Sequence, residues 1–141
     1  MLDNQHAKIL RQISIFLENR PGRLAQLTSV LAERGVNLRA LTIADTERFG
    51  VVRIIVAENE TALAALHDAG FTAKVSDVVG VEVPDRPGSL AHILTLFDGD
   101  VSVEYMYASF HAGARRPIMI MKLTPAALAV EILEQADLYE A

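Results

Sequence analysis

The chain has 141 residues, 51 % of them hydrophobic and 22 % charged, with a formal net charge of −5 and no cysteine. That content fills one ordinary core or two small ones and excludes a disordered chain. It also excludes disulfides, thiolate metal sites and a cysteine nucleophile, and the acidic balance speaks against a nucleic-acid or anionic-membrane partner, which needs clustered Lys and Arg. No apolar run approaches the ~20 residues of a membrane span. Residues 1–6 lack the basic and apolar regions of a signal peptide, so a cytoplasmic location is expected.

Residues 7–17 read as a strand. Ile9, Ile13, Ile15 and Leu17 fall on one face, Arg11 excepted, and Gln12, Ser14 and Glu18 on the other. Asn19-Arg20-Pro21-Gly22 is a turn: Pro21 fixes φ and removes a donor, and Gly22 tolerates what other residues do not. A helix follows over 23–34 with Leu24, Leu27, Val30 and Leu31 as its apolar stripe and Gly35 as its C-terminal cap. Strands are expected over 36–45 and 49–57, joined by the polar turn 46–48. A second helix spans 61–69, with Leu63 and Leu66 inward and Gly70 at its end. Residues 71–79 form a fourth strand, which completes β-α-β-β-α-β.

The same order then starts again. Val79, Val81 and Val83 align with Ile13, Ile15 and Leu17, so the fourth strand runs into the next unit without a linker. The turn Pro84-Asp85-Arg86-Pro87-Gly88 leads to a helix over 89–97 carrying Leu90, Ile93, Leu94 and Phe97. Strands follow over 101–110 and 117–123. Thr124-Pro125 reads as an N-cap with proline at the first helical position of a helix to about 136. Only 137–141 remain, so the second sheet lacks a full last strand. A stub, sharing of the strand around 72–83, or another chain would have to close its edge. The pattern predicts an α+β protein of two ferredoxin-like units, 7–76 and 77–141, with antiparallel sheets and helices on one face.

Fold does not give function. The most informative feature is the repeat itself, in which Glu18-Asn19-Arg20-Pro21-Gly22-Arg23-Leu24-Ala25 returns as Pro84-Asp85-Arg86-Pro87-Gly88-Ser89-Leu90-Ala91. Each copy joins a strand to a helix, and Gly-Val-Asn or Asp-Val-Ser leads into the next strand. This arrangement resembles the ACT domain. The resemblance covers about 8–79 and 78–141 and leaves no room between them for a catalytic domain, so the chain looks like a stand-alone tandem ACT protein. It implies a small ligand, usually an amino acid, bound where ACT units pair, and pairing within or between chains. A homodimer is expected, and the partner enzyme, if any, is not named by the sequence.

The turns also have a physical case as binding sites. The first amides of a helix lack partners and the helix dipole is positive there, which favours a carboxylate. Gly22 and Gly88 let a ligand approach the backbone. Asn19 and Asp85 offer oxygens to an ammonium group. The candidate residues are Asn19, Arg20, Pro21, Gly22, Arg23 and Leu24 in the first copy, and Asp85, Arg86, Pro87, Gly88, Ser89 and Leu90 in the second. Asn37 and Leu38, and Ser102 and Val103, begin the strands that in an ACT pair face a neighbouring unit's turn. The alternative is that Pro-Gly merely tightens the chain. Between the copies the first turn is favoured.

Tyr105, Tyr107 and Phe110, with Met106, Met119 and Met121 nearby, read as a core or sheet-packing cluster, the alternative being a pocket for an apolar or aromatic side chain. His6, His67, His92 and His111 have no metal-site spacing, so no metal and no cofactor is expected. No nucleophile–base pair, phosphate loop or close carboxylate pair points to an enzyme. A ferredoxin-like RNA binder would stack bases on third-strand aromatics, and residues 50–55 have none. The sequence therefore favours an amino-acid-binding regulatory or sensor module. A structural dimerisation module without a ligand is the alternative.

Overall fold

The computed structural model describes residue 2 and residues 5–18, 20–45, 49–109 and 117–136. The elements are β1 (Ala7–Glu18), α1 (Arg23–Glu33), β2 (Leu38–Asp45), β3 (Phe49–Val56), α2 (Asn59–Asp68), β4 (Thr72–Glu82), α3 (Ser89–Phe97), β5 (Ser102–Ala108), β6 (Ile118–Thr124) and α4 (Ala126–Gln135). Two compact units result, one of residues 11–76 and one of residues 1–10 with 77–141. Residues 7–10, read from the sequence as part of the first unit, thus belong to the second.

In the unit 11–76 the strands lie in the order β2-β3-β1-β4. The β1/β3 and β2/β3 pairs are antiparallel, with Ile13 opposite Ile54 and Leu41 opposite Ile54 in the two ladders. Alternation sends Ile13, Ile15, Leu17, Val52, Ile54 and Val56 to one face, where they meet Leu27 and Leu31 of α1 and Ala62 and Leu66 of α2. Helices α1 and α2 end alike. Gly35, at φ +71, and Gly70, at φ +85, follow the last turns. The amide of Val36 reaches back to Leu31 and that of Gly35 to Ala32; Phe71 and Gly70 do the same to Leu66 and His67. These are Schellman closures, and they need residues that accept a left-handed backbone.

The other unit repeats the pattern in the order β1-β4-β6-β5. Val79 and Val81 of β4, Met121 and Leu123 of β6, Ile93 and Phe97 of α3, and Ala129 and Leu133 of α4 form its core. The missing last strand is filled by the beginning of the chain. The amide of Glu82 donates to the carbonyl of His6 at 2.9 Å, the His6 Nδ1 and Glu82 Oε2 atoms lie 3.1 Å apart, and Ala7 is fully buried in this core. The edge that the sequence leaves open is therefore closed from the N-terminal side. Residues 137–141, the other candidates for that position, lie outside the described residues. Gly80 fits this arrangement, because a Cβ there would meet Leu10 Cδ1 at 2.6 Å and Leu2 Cδ2 at 3.0 Å.

Three local expectations need correction. Ile9 does not face a core and is 38 % exposed. It lies beside the point where the chain passes from one unit to the other, and it belongs to neither core. Thr124 is no cap: it ends β6, and its hydroxyl donates to Glu104 Oε2 at 3.3 Å while Pro125 precedes the helix. The Tyr and Met side chains of the second unit do not form one cluster. Met106, Met119 and Met121 pack in the helix-side core, whereas Tyr105 and Tyr107 alternate to the opposite face, paired with Lys122 and Ile120. Phe110 of that set lies outside the described residues.

Candidate functional site

The two Arg-Pro-Gly turns fold the same way. Gly22 and Gly88 each have φ +86, with ψ −11 and −5, and each precedes the first residue of its helix. The amide of Arg20 donates to Glu18 O at 2.8 Å and that of Arg86 to Pro84 O at 2.9 Å. Arg23 bonds back to Arg20 and Ser89 to Arg86, at 3.3 and 3.2 Å. The intrahelical ladder starts with Gln26 to Gly22 and His92 to Gly88, at 3.0 and 2.9 Å. Identical backbone bonds at identical sequence positions explain why the motif repeats as Arg-Pro-Gly. The proline presets φ, and the left-handed position after it favours glycine. The glycine has no side chain to cap the helix, so apart from the Arg23 and Ser89 amides, which close the turns, the first-turn amides of α1 and α3 have no side-chain cap.

The side chains then make the copies different. Position 18 is Glu18 and its counterpart is Pro84; Arg23 corresponds to Ser89, and Gln26 to His92. In the first copy Glu18 Oε2 holds Arg20 Nε at 2.8 Å. The Arg23 guanidinium lies over the Phe71 ring, 4.5 Å from its centroid, and donates to Gln26 Oε1 at 2.6 Å. Both arginines of this turn are thus engaged by the unit's own side chains. In the second copy proline replaces the carboxylate and serine the stacked arginine. Among the described residues no ion pair engages Asp85 or Arg86.

The second turn borders two clefts. One, of about 280 Å³, is lined by Pro84, Arg86, Pro87, Gly88, Ser89 and His92. The other, of about 370 Å³, shares Pro84, Arg86, Gly88 and Ser89 and adds Val83, Asp85, Leu90, Ala91, Pro117 and Met119. Every second-turn candidate from the sequence (Asp85, Arg86, Pro87, Gly88, Ser89 and Leu90) lines at least one of them. Val83, Pro84, Ala91, His92 and Pro117 were not anticipated, and Met119 was read only as part of the Tyr and Met set of the second unit. His92 was readable, since it sits one turn into the helix on the side of the glycine. Pro117 and Met119 were not, because β6 is brought alongside β4 only by the sheet.

The strand-start candidates do not join the turns within a unit. In the unit 11–76 the turn follows Glu18, which is opposite Phe49, whereas Leu38 is opposite Val56 at the other end of β3. Seven residue steps along β3 separate the two ends, roughly 23 Å at about 3.3 Å per residue. Ser102 is likewise opposite Thr124, at the end of β6 remote from Ile118 and Glu82. Asn37, Ser102 and Val103 are exposed and Leu38 is half-buried. Asn19 lies outside the described residues. Among the described residues no group of three or more His, Asp or Glu side chains is placed to hold a metal, and no helix is long and apolar enough to cross a membrane.

With the fold and the turns in place, comparison with known proteins decides the family. The profile of the ACT domain pair matches residues 8–139. The chain belongs to the ACT domain pair family. A crystallised protein of Bacteroides thetaiotaomicron shares 35 % identity with this ACT pair and superimposes with a TM-score of 0.82, covering 97 % of this chain and 100 % of that one. The regulatory subunit of aspartate kinase from Thermus thermophilus shares the fold at 19 % identity, with a TM-score of 0.65 over 93 % of this chain and 96 % of that one. A probable acetolactate synthase small subunit of Archaeoglobus fulgidus is 28 % identical over 103 residues, which are 60 % of this ACT pair and 65 % of that protein. The ACT pair thus spans just under two thirds of that relative's length.

Proposed function

We propose that this ACT pair is a non-catalytic regulatory or sensor protein that binds an amino acid beside its Arg-Pro-Gly turns and passes the binding state to a partner enzyme. The observation that carries this reading is the second turn. It offers a carboxylate, a guanidinium that no ion pair engages among the described residues, and helix amides without a side-chain cap, along a cleft. An α-amino acid carries the complementary ammonium and carboxylate. The first turn has the same backbone but spends its arginines internally, which moves the preference to Asp85–Leu90 from Asn19–Leu24. The relatives named above as a regulatory subunit and a small subunit agree with a role of this kind.

In the same reading the ACT pair self-associates, and a neighbouring ACT unit brings residues such as Asn37 or Ser102 to the site. Phe16 and Phe49 support association. They are 51 % and 58 % exposed, and their pairing with Val51 and Glu18 puts them on one face of the unit 11–76. A thermal-shift screen against the twenty amino acids tests the reading, since a ligand selective for the folded state raises the melting temperature. A rise with one or a few of them is expected. No rise with any would leave a dimerisation module without a ligand, and light scattering would then show the dimer alone.

A further inference from the structure

We propose that the second turn selects an amino acid with an aliphatic or thioether side chain, laid against Val83, Leu90, Pro117 and Met119. This rests on the reading that the chain binds amino acids and adds which class of them. The larger cleft has two chemically distinct parts. One part carries the charges of its described lining residues, Asp85 and Arg86, of opposite sign and adjacent in sequence, as a zwitterionic head group requires. The other described lining residues are Val83, Pro84, Leu90, Ala91, Pro117 and Met119, with Gly88 and the Ser89 hydroxyl at the start of the helix. The side chains of Val83, Pro84, Leu90, Pro117 and Met119 form a floor with almost no hydrogen-bonding capacity. Pro84 and Pro117 have no amide hydrogen. The amide of Val83 is spent on Pro117 O at 2.8 Å. The side chains of Val83, Leu90 and Met119 offer no donor and at most a weak sulfur acceptor.

A lysine or aspartate side chain on such a floor would give up hydration without a replacement partner. An aliphatic or thioether chain would remove apolar surface from water and fill the space against flexible Met119. The first copy has the carboxylate of Glu18 where the second has Pro84. Selection of an apolar side chain is therefore a property of the second turn.

Calorimetric titration of the full chain with leucine, methionine, serine, aspartate and lysine tests the proposal. Leucine and methionine are expected to bind at least tenfold more tightly than the other three. Pro117→Glu, an exposed position outside the core, should weaken leucine about tenfold and narrow the gap to lysine. Met119→Ala should weaken both apolar ligands, and its melting temperature reports separately on the fold. Tighter binding of lysine, aspartate or serine than of leucine would overturn the selectivity and leave amino-acid binding standing. Failure of all twenty amino acids to bind would overturn both. Unchanged leucine affinity in Pro117→Glu and Met119→Ala would place the side chain elsewhere and refute the assignment.

Discussion

The backbone amide of Ala7 donates to Glu134 Oε1 at 2.9 Å, tying the first strand to the last helix across 127 positions of sequence. Together with the Glu82 amide on His6 O, it makes residues 6–10 part of the unit built from 77–141. Glu134→Ala leaves the Ala7 donor without its carboxylate and should cost about 1–2 kcal/mol. Ala7→Asp places a charge at a fully buried position and should cost several times more. Urea denaturation of the two variants checks the ranking. Equal, negligible losses would mean that this end of β1 contributes nothing.

Gly80 gives a steric version of the same test. A Cβ there runs into Leu10 and the buried Leu2. Gly80→Ala should be tolerated at modest cost because Leu10 is only half-buried and its methyl can move. Gly80→Val should cost about 1–3 kcal/mol as overpacking, and Leu2→Ala in the same chain should restore part of it. Additive losses in the double variant, read by thermal melting, would exclude the contact.

Arg23 is a ligand-binding candidate by position and a structural side chain by contact. Its stacking on Phe71 predicts a loss of about 0.5–1 kcal/mol in Arg23→Ala, with the affinity for any amino acid unchanged. A large loss of affinity in titration, with stability unaltered, would return the first turn to the site.

The two turn glycines share a conformation and should share a stability cost. Gly22→Ala and Gly88→Ala each put a side chain at φ +86 in otherwise open space, so the cost is conformational, about 1–2 kcal/mol. Binding should respond differently, falling in Gly88→Ala and staying constant in Gly22→Ala. Equal effects on binding would make the copies functionally equivalent.

What could be read from the sequence was local. Gly35 and Gly70 close their helices as expected because a Schellman closure involves only a few successive residues, and the Arg-Pro-Gly repeat marks both strand-to-helix turns for the same reason. The apolar alternation of Ile13, Ile15 and Leu17 placed one core correctly. What could not be read was any pairing of distant segments. Nothing around Ala7 announces a partner near Glu82, and nothing around Met119 announces the Asp85 turn. The split between Tyr105 and Met106 was available in the strand period, since neighbours in a strand cannot share a face. The different use of Arg20 and Arg86 depends on one exchange, Glu18 against Pro84, whose weight appears only when the side chains have positions.

The strand that completes the second unit has a consequence for biosynthesis. Residues 7–10 leave the ribosome well before the β4, β6 and α4 residues they join. The unit 11–76 contains both β1 from Arg11 onward and the start of β4, so it can form while synthesis continues. Residues 7–10 have to remain uncommitted until residue 134 has emerged, and this pairing of segments far apart in sequence is of the non-local kind that slows folding.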